Sequence, residues 1–115
     1  MEDDGVIVDV VFEDGVLYLE LANLSDRPAL SVTCTFDPPL VDAAGRDVGK
    51  LRLFRKMEFL GPARRVRTLL DSVAGRTGPG RTVVSVKYKR PGDRQFATTT
   101  VAHDLAVYRE LAYRV

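Results

Sequence analysis

Residues 30–36 read LSVTCTF, in which apolar and hydroxyl side chains alternate. A period of two is typical of a β-strand that buries one face. Two prolines, Pro38 and Pro39, follow after Asp37, and proline cannot continue a central strand because it lacks the backbone N–H. The sequence therefore predicts a strand that ends before these prolines. The face expected to lie in the core consists of Leu30, Val32, Cys34 and Phe36.

The same alternation appears upstream on both sides of a turn signal. Val6, Val8, Val10 and Phe12 occupy every second position of one segment. The pair Asp14-Gly15 follows, and Leu17, Leu19 and Leu21 then occupy every second position of the next segment. Asp-Gly between two alternating segments is a strong signal for a β-hairpin with a two-residue turn. We therefore expect the first two strands to pair.

The downstream sequence contains four further candidate strands. Gly61-Pro62 and Pro91-Gly92-Asp93 supply turn signals between them. Leu51, Leu53, Met57 and Phe59 recur at even spacing, which predicts one strand whose face is interrupted by Arg55. Together with the first three strands, these segments give a count of about seven. The four segments are residues 51–59, 65–70, 82–90 and 95–103.

Two segments are less regular. Residues 75–80, GRTGPG, are rich in glycine and are predicted to form a flexible connector. Within residues 104–115, Leu105, Tyr108 and Leu111 have the spacing of an amphipathic helix, but the end of this tail could also extend a sheet edge. A short C-terminal helix and an edge strand both remain open at this point.

Composition and length indicate one folded domain spanning residues 1–115. Of the residues, 45% are hydrophobic and 29% are charged, and the formal net charge is +1, which excludes the class of highly charged disordered chains. Cys34 is the only cysteine, so no intramolecular disulfide can form, and we expect a reducing, cytoplasmic location. The first residues are acidic and no apolar run approaches 18 residues, so we expect neither a signal peptide nor contact with a membrane.

Three segments carry a resemblance to a known class of domain. They are ELANLSDRPAL at 20–30, FDPPL at 36–40 and FLGPARRVRTLLDS at 59–72. They resemble the bacterial and archaeal immunoglobulin-like modules related to fibronectin type III and cell-adhesion-related domains. Ser25 and Ala63 stand where such modules have turn glycines. The residues that match in kind are Asn23, Pro28, Ala29, Leu60 and Pro62. The resemblance implies an all-β, immunoglobulin-like antiparallel β-sandwich that serves as a scaffold or interaction module.

The residues needed for catalysis are scarce. The chain has one histidine, His103, and one cysteine, whereas a nucleophilic triad or a metal centre needs several such groups together. Cys34 lies on the predicted buried face, where a thiol has a raised pKa and is inert. The stretch at 75–81 lacks the Gly-Lys-Ser/Thr ending of a phosphate-binding loop. We therefore predict a protein that is not an enzyme and uses no cofactor or metal.

The distribution of charge is the one feature that points to a partner. Residues 1–26 contain eight acidic residues and no basic one, so all 17 basic residues lie beyond them. Such basic residues can simply keep strand faces solvated and edges apart. Two basic clusters stand out along the chain, one formed by Arg52, Arg55, Lys56, Arg64, Arg65 and Arg67, and one formed by Lys87, Lys89, Arg90 and Arg94. If the two clusters adjoin in space, they form a patch that attracts an acidic surface. The candidate partner-binding residues are Arg65, Arg67, Lys87 and Lys89.

Two kinds of partner fit such a patch. The leading hypothesis is a non-catalytic protein-interaction or accessory module that binds an unknown protein or a second copy of itself. The alternative is a domain that binds the phosphate backbone of a nucleic acid through the same residues. We expect no aromatic stacking platforms interleaved with these basic residues, which argues against binding of single-stranded bases.

Overall fold

The hairpin predicted at the start of the chain is formed by strands β1 (Val6–Glu13) and β2 (Val16–Asn23). The computed structural model describes residues 5–72 and 80–108. Asp14 and Gly15 connect the strands with φ angles of 52° and 78°. Positive φ at both central residues matches the right-handed twist of the paired strands, as in a type I′ turn. This turn fixes the register in which Val10 lies opposite Leu19.

Seven strands within the described residues form two antiparallel sheets. Sheet A has the order β1-β2-β5, and sheet B has the order β4-β3-β6-β7. Constant-type immunoglobulin domains place the fourth strand in the sheet of the first two, whereas here it lies in the other sheet. The expected all-β sandwich of about seven strands is confirmed. The remaining strands are β3 (Ala29–Asp37), β4 (Met57–Leu60), β5 (Arg65–Ser72), β6 (Arg81–Lys89) and β7 (Ala97–Asp104).

Apolar side chains from both sheets form one core between them. Core residues contributed by the strands include Val8, Leu19, Leu21, Val32, Cys34, Leu70, Val84 and Val86.

Hydrogen bonds also join the elements at the two sides of the sandwich. On one side, two side chains of β7 bond to the edge of β1: the Thr99 hydroxyl donates to the carbonyl of Val6, and His103 Nε2 donates to the carbonyl of Val8 at 2.7 Å. On the other side, the Ala43 N–H donates to the Leu70 carbonyl of β5.

The alternation that predicted β3 fails at its first residue. Ala29 and Val32 are both buried, whereas Leu30 is only half-buried and Ser31 is exposed with φ of 53°. The pairing of β3 with β6 shifts between Leu30 and Thr33, which shows that an extra residue is inserted there as a β-bulge. The prediction that Leu30 shares the core face with Val32 is therefore wrong, because the bulge turns Leu30 to the outer face.

The strand predicted over residues 51–59 is wrong in its first half. A 3₁₀ turn (Val48–Lys50) leads into the four-residue helix α1 (Arg52–Arg55), and only Met57–Leu60 form a strand. The helix turns Phe54 into the core, where its ring meets that of Phe36 edge to face with centroids 5.2 Å apart. In the predicted strand, Phe54 would point to the face opposite Leu53 and therefore away from the face that was expected to be buried. Burial of this aromatic ring therefore favours the helical turn.

The C-terminal tail begins as a helix where the structure describes it. Leu105 is buried and residues 106–108 are helical, with the Tyr108 ring 5.8 Å from that of Phe12. Residues 109–115, and with them Leu111, lie outside the described residues, as does most of the predicted connector at 75–80. No helix in the described part of the chain is long and apolar enough to cross a membrane.

One end of the sandwich is held by a buried polar network around Asn23. Its amide donates to the carbonyls of Arg27, Leu60 and Gly61 at 2.7–3.2 Å. Its carbonyl oxygen accepts from Nη1 of Arg90 at 3.0 Å, and the Arg90 side chain is only 2% exposed and lies over the Tyr88 ring. Asn23 therefore joins the end of β2 to the turn after β4 and to the end of β6.

We expect Asn23→Ala to lower the free energy of unfolding by about 3 kcal/mol, because a buried polar group left without its partner costs roughly 1–3 kcal/mol. Several such groups, including the Arg90 guanidinium, lose a partner here. Urea unfolding at pH 7 measures the change. Ser85→Ala is the control, since it removes only an outer-face hydroxyl that contacts Thr100. A loss below about 1 kcal/mol for Asn23→Ala would contradict this role for the network.

Candidate partner-binding site

Arg65 and Arg67 lie on the outer face of sheet A, where they are bound to carboxylates. Arg67 is directly opposite Glu20 of β2 and contacts it at 3.2 Å, and Arg65 Nη1 lies 2.9 Å from the same carboxylate. Arg67 also contacts Glu13 at 3.2 Å. Glu20 is only 6% exposed because these neighbours cover it. The two arginines are therefore largely neutralised within the molecule.

The arginines also determine the ionisation of Glu20. The hydrogen bond from Arg65 lowers the pKa of this carboxyl most, and Arg67 adds to the effect, whereas burial opposes it. The net shift is downward, so the carboxylate stays ionised at neutral pH. Replacing either arginine would leave a covered negative charge with one partner fewer. These residues therefore serve the stability of sheet A.

Lys87 and Lys89 lie on the outer face of sheet B, on the other side of the sandwich. Both belong to β6, in which the alternate residues Val84, Val86 and Tyr88 face the core. Their Nζ atoms lie 4.6 and 5.0 Å from the centroid of the Phe96 ring. The structure thus brings Arg65 together with Arg67, and Lys87 together with Lys89, but it places the two pairs on opposite faces. No single patch contains all four predicted residues.

A second basic region lies at the edge of sheet B and forms a groove with a volume of about 790 Å³. We call it the basic groove. Phe59 is the aromatic residue of its lining and is 61% exposed. Among the described residues no carboxylate forms an ion pair with Lys50, Arg52 or Arg55, and Lys56 contacts only Glu58, at 3.5 Å. The groove therefore carries a net positive charge. Its lining consists of Lys50, Arg52, Arg55, Lys56, Met57, Glu58 and Phe59.

The strand register connects the basic groove to the two lysines. Phe59 of β4 lies opposite Leu30 of β3, and Leu30 lies opposite Lys89 of β6. Residues that are directly opposite on neighbouring strands have side chains on the same face, about 5 Å apart. The bulge that turns Leu30 outward therefore completes a row from Phe59 to Lys89 and the Phe96 ring. This outer face of sheet B combines basic and aromatic groups.

Sequence reasoning grouped the basic residues by their distance along the chain. That grouping joined Arg52 and Arg55 to Arg65 and Arg67, which lie in the other sheet. It also predicted no aromatic stacking platform beside the basic residues, although Phe96, seven residues from Lys89 along the chain, folds back over it across a turn. The hairpin predicted from residues 82–90 and 95–103 is the sequence signal that could have shown this contact, since its register brings Lys87 opposite Thr98, near Phe96.

A family model described as a domain of unknown function (DUF8453) matches residues 5–109. The chain belongs to this family. The match covers all seven strands, the buried network around Asn23 and the basic groove. Among curated proteins, none matches the chain.

Cys34 lies in the core, and His103 makes a contact between the two sheets. Burial raises the pKa of the Cys34 thiol to about 12, so it stays protonated at neutral pH. The prediction that Cys34 is buried is confirmed. His103 is half-buried, and its Nε2 carries the proton that the Val8 carbonyl accepts. In the described part of the chain, no three histidine, cysteine or acidic residues are grouped as a metal site.

The lowered pKa of Glu20 predicts how the stability of sheet A depends on pH. Because the folded-state pKa lies below the unfolded value of about 4.3, the stabilisation is present above that value and is lost as pH falls through the folded pKa. We expect Glu20→Gln to be less stable than the wild type at pH 7, with the difference shrinking between about pH 5 and pH 3.

Urea unfolding at pH 7, 5, 4 and 3 measures this difference in free energy. Glu58→Gln is the matched control, because it removes an exposed carboxylate whose only ion pair within the described residues is with Lys56. Its unfolding curve should stay close to that of the wild type at every pH. A difference between Glu20→Gln and the wild type that does not change with pH would show that the charge of Glu20 has no role.

Proposed function

We propose that this domain is a non-catalytic protein-interaction module that binds an acidic segment of a partner protein in the basic groove. It is related, on this proposal, to the immunoglobulin-like accessory modules of the fibronectin type III and cell-adhesion-related kind. A cytoplasmic location fits a domain whose single cysteine, Cys34, is buried and free.

The observation that carries the proposal is the contrast between the two outer faces. On sheet A, Arg65 and Arg67 are matched by Glu20 and Glu13. In the basic groove, by contrast, several cations surround an exposed aromatic ring with a single acid among them. Cations without a partner keep their full attraction for an incoming anion, whereas paired ones must first be released. The groove is therefore the better place for an acidic partner.

The mixture of side chains favours a protein over a nucleic acid. Aromatic residues, methionine and arginine are enriched in protein–protein interfaces, and the groove lining contains all three kinds. Phe59, Met57 and Leu30 supply apolar area, and Arg52 and Arg55 supply charge. A phosphate backbone would engage the charges and leave the apolar area unused. Nucleic-acid binding is therefore the alternative that the experiment below tests.

We expect an acidic peptide to bind the wild type and to bind Arg52→Ser/Arg55→Ser about tenfold more weakly, because each exposed charge pair contributes up to about 1 kcal/mol. The probe is a fluorescein-labelled nonapeptide with alternating aspartate and valine and a central phenylalanine. Fluorescence anisotropy at 50 and 150 mM salt measures its affinity. Phe59→Ser should weaken binding at both salt concentrations, because it removes apolar contact.

Arg27→Ser/Arg81→Ser is the matched control, since it removes two exposed arginines that do not line the groove. It should keep nearly the affinity of the wild type. A 20-nucleotide thymidine oligomer tested in parallel decides the alternative. If that oligomer binds and the peptide does not, with affinity falling steeply with salt, the domain is a nucleic-acid-binding protein and the proposal is wrong. The proposal would also be overturned if Arg27→Ser/Arg81→Ser lost as much affinity for the peptide as Arg52→Ser/Arg55→Ser.

A further inference from the structure

We infer that the acidic partner binds as an extended strand that pairs with the open edge of β4 and lengthens sheet B from four strands to five. This inference rests on the proposed function, because it specifies how a protein segment occupies the basic groove. Adding a strand to a sheet edge uses the backbone of both partners for affinity and side chains for specificity.

The edge of β4 differs from two other edges of the sandwich. The edge of β1 is bonded by the side chains of Thr99 and His103, and the edge of β5 by the Ala43 N–H. Within the described residues, Met57, Glu58 and Phe59 make no backbone hydrogen bond beyond those with β3. A strand edge of this kind presents N–H and C=O groups that a second strand can bond.

The dimensions of the edge set the length of the segment. Four residues of β4 span about 13 Å at roughly 3.3 Å per residue. A partner strand of about four to six residues therefore fills this edge. Such a segment would lie in the basic groove, since Met57, Glu58 and Phe59 belong both to β4 and to the groove lining.

The chemistry of the lining sets the side chains of the segment. A partner residue opposite Phe59 would extend the row formed with Leu30 and Lys89, so an aromatic or aliphatic side chain fits there. Acidic side chains nearby would meet Arg52 and Arg55. A second copy of this chain pairing through its own β4 is disfavoured, because two basic grooves would be brought together. The segment is therefore acidic, extended and anchored by one apolar side chain.

Backbone N-methylation tests strand pairing without changing charge or side chains. Successive residues of a strand direct their N–H and C=O groups to opposite edges, so methyl groups on alternate residues block one edge only. Two isomers of the aspartate–valine nonapeptide are made, one methylated at even positions and one at odd positions. The expected result is that one isomer binds the wild type at least tenfold more weakly than the other, which stays within about threefold of the unmodified peptide.

Equal affinity of the two isomers would overturn strand pairing, whether both match the unmodified peptide or both are weakened. Binding of the unmodified peptide that depends on Arg52 and Arg55 would still support the proposed function in that case. If the unmodified peptide does not bind, both the function and the binding mode are wrong. Hydrogen exchange of backbone amides adds an independent measurement: strand pairing should slow exchange at least tenfold within residues 57–59, and unchanged exchange on saturation with peptide would also overturn it.

Discussion

The contact between Asn23 and Arg90 determines how the two sheets meet at one end. Asn23 ends a strand of sheet A, whereas Arg90 follows a strand of sheet B, and both side chains are buried. A buried guanidinium is costly unless hydrogen bonds and neighbouring dipoles compensate its charge. Here the Asn23 oxygen and the Arg27 carbonyl accept from it, and the Tyr88 ring lies below it. The loop after β2 and the turn after β4 are held in place by the same asparagine, which in turn sets where β4 ends.

The fixed position of β4 gives the basic groove its shape. Phe54, one turn before β4, is buried against Phe36 and holds α1 in place, so that Arg52 and Arg55 remain at the surface beside the strand. Core packing on one side of this short helix thus places charge on its other side. The groove is a consequence of how the core is filled.

The sequence predicted features that depend on local pattern and missed those that depend on tertiary contacts. The hairpin at Asp14-Gly15 was predictable because two residues fix its geometry. The bulge at Ser31 was not, since a polar residue in an alternating strand has no distinctive signal of its own. The helix around Phe54 was missed because a ring that fills a core cavity outweighs an even spacing of leucines. Arg65 and Arg67 were predicted to be available to a partner, but both pair with Glu20, and this pairing depends on a strand register that the sequence does not show.

The two features that the sequence did not predict, the bulge at Ser31 and the helix around Phe54, also form the candidate site. Turning Leu30 outward at the bulge joins Phe59 to Lys89, and winding residues 52–55 into a helix gathers Arg52 and Arg55 beside β4. Each departure breaks a local rule: Ser31 adopts a positive φ that costs an ordinary residue about 1 kcal/mol, and a four-residue helix has little stability of its own. Local preferences at both places are overridden by packing and register. Their shared result is that basic and apolar side chains lie together beside β4.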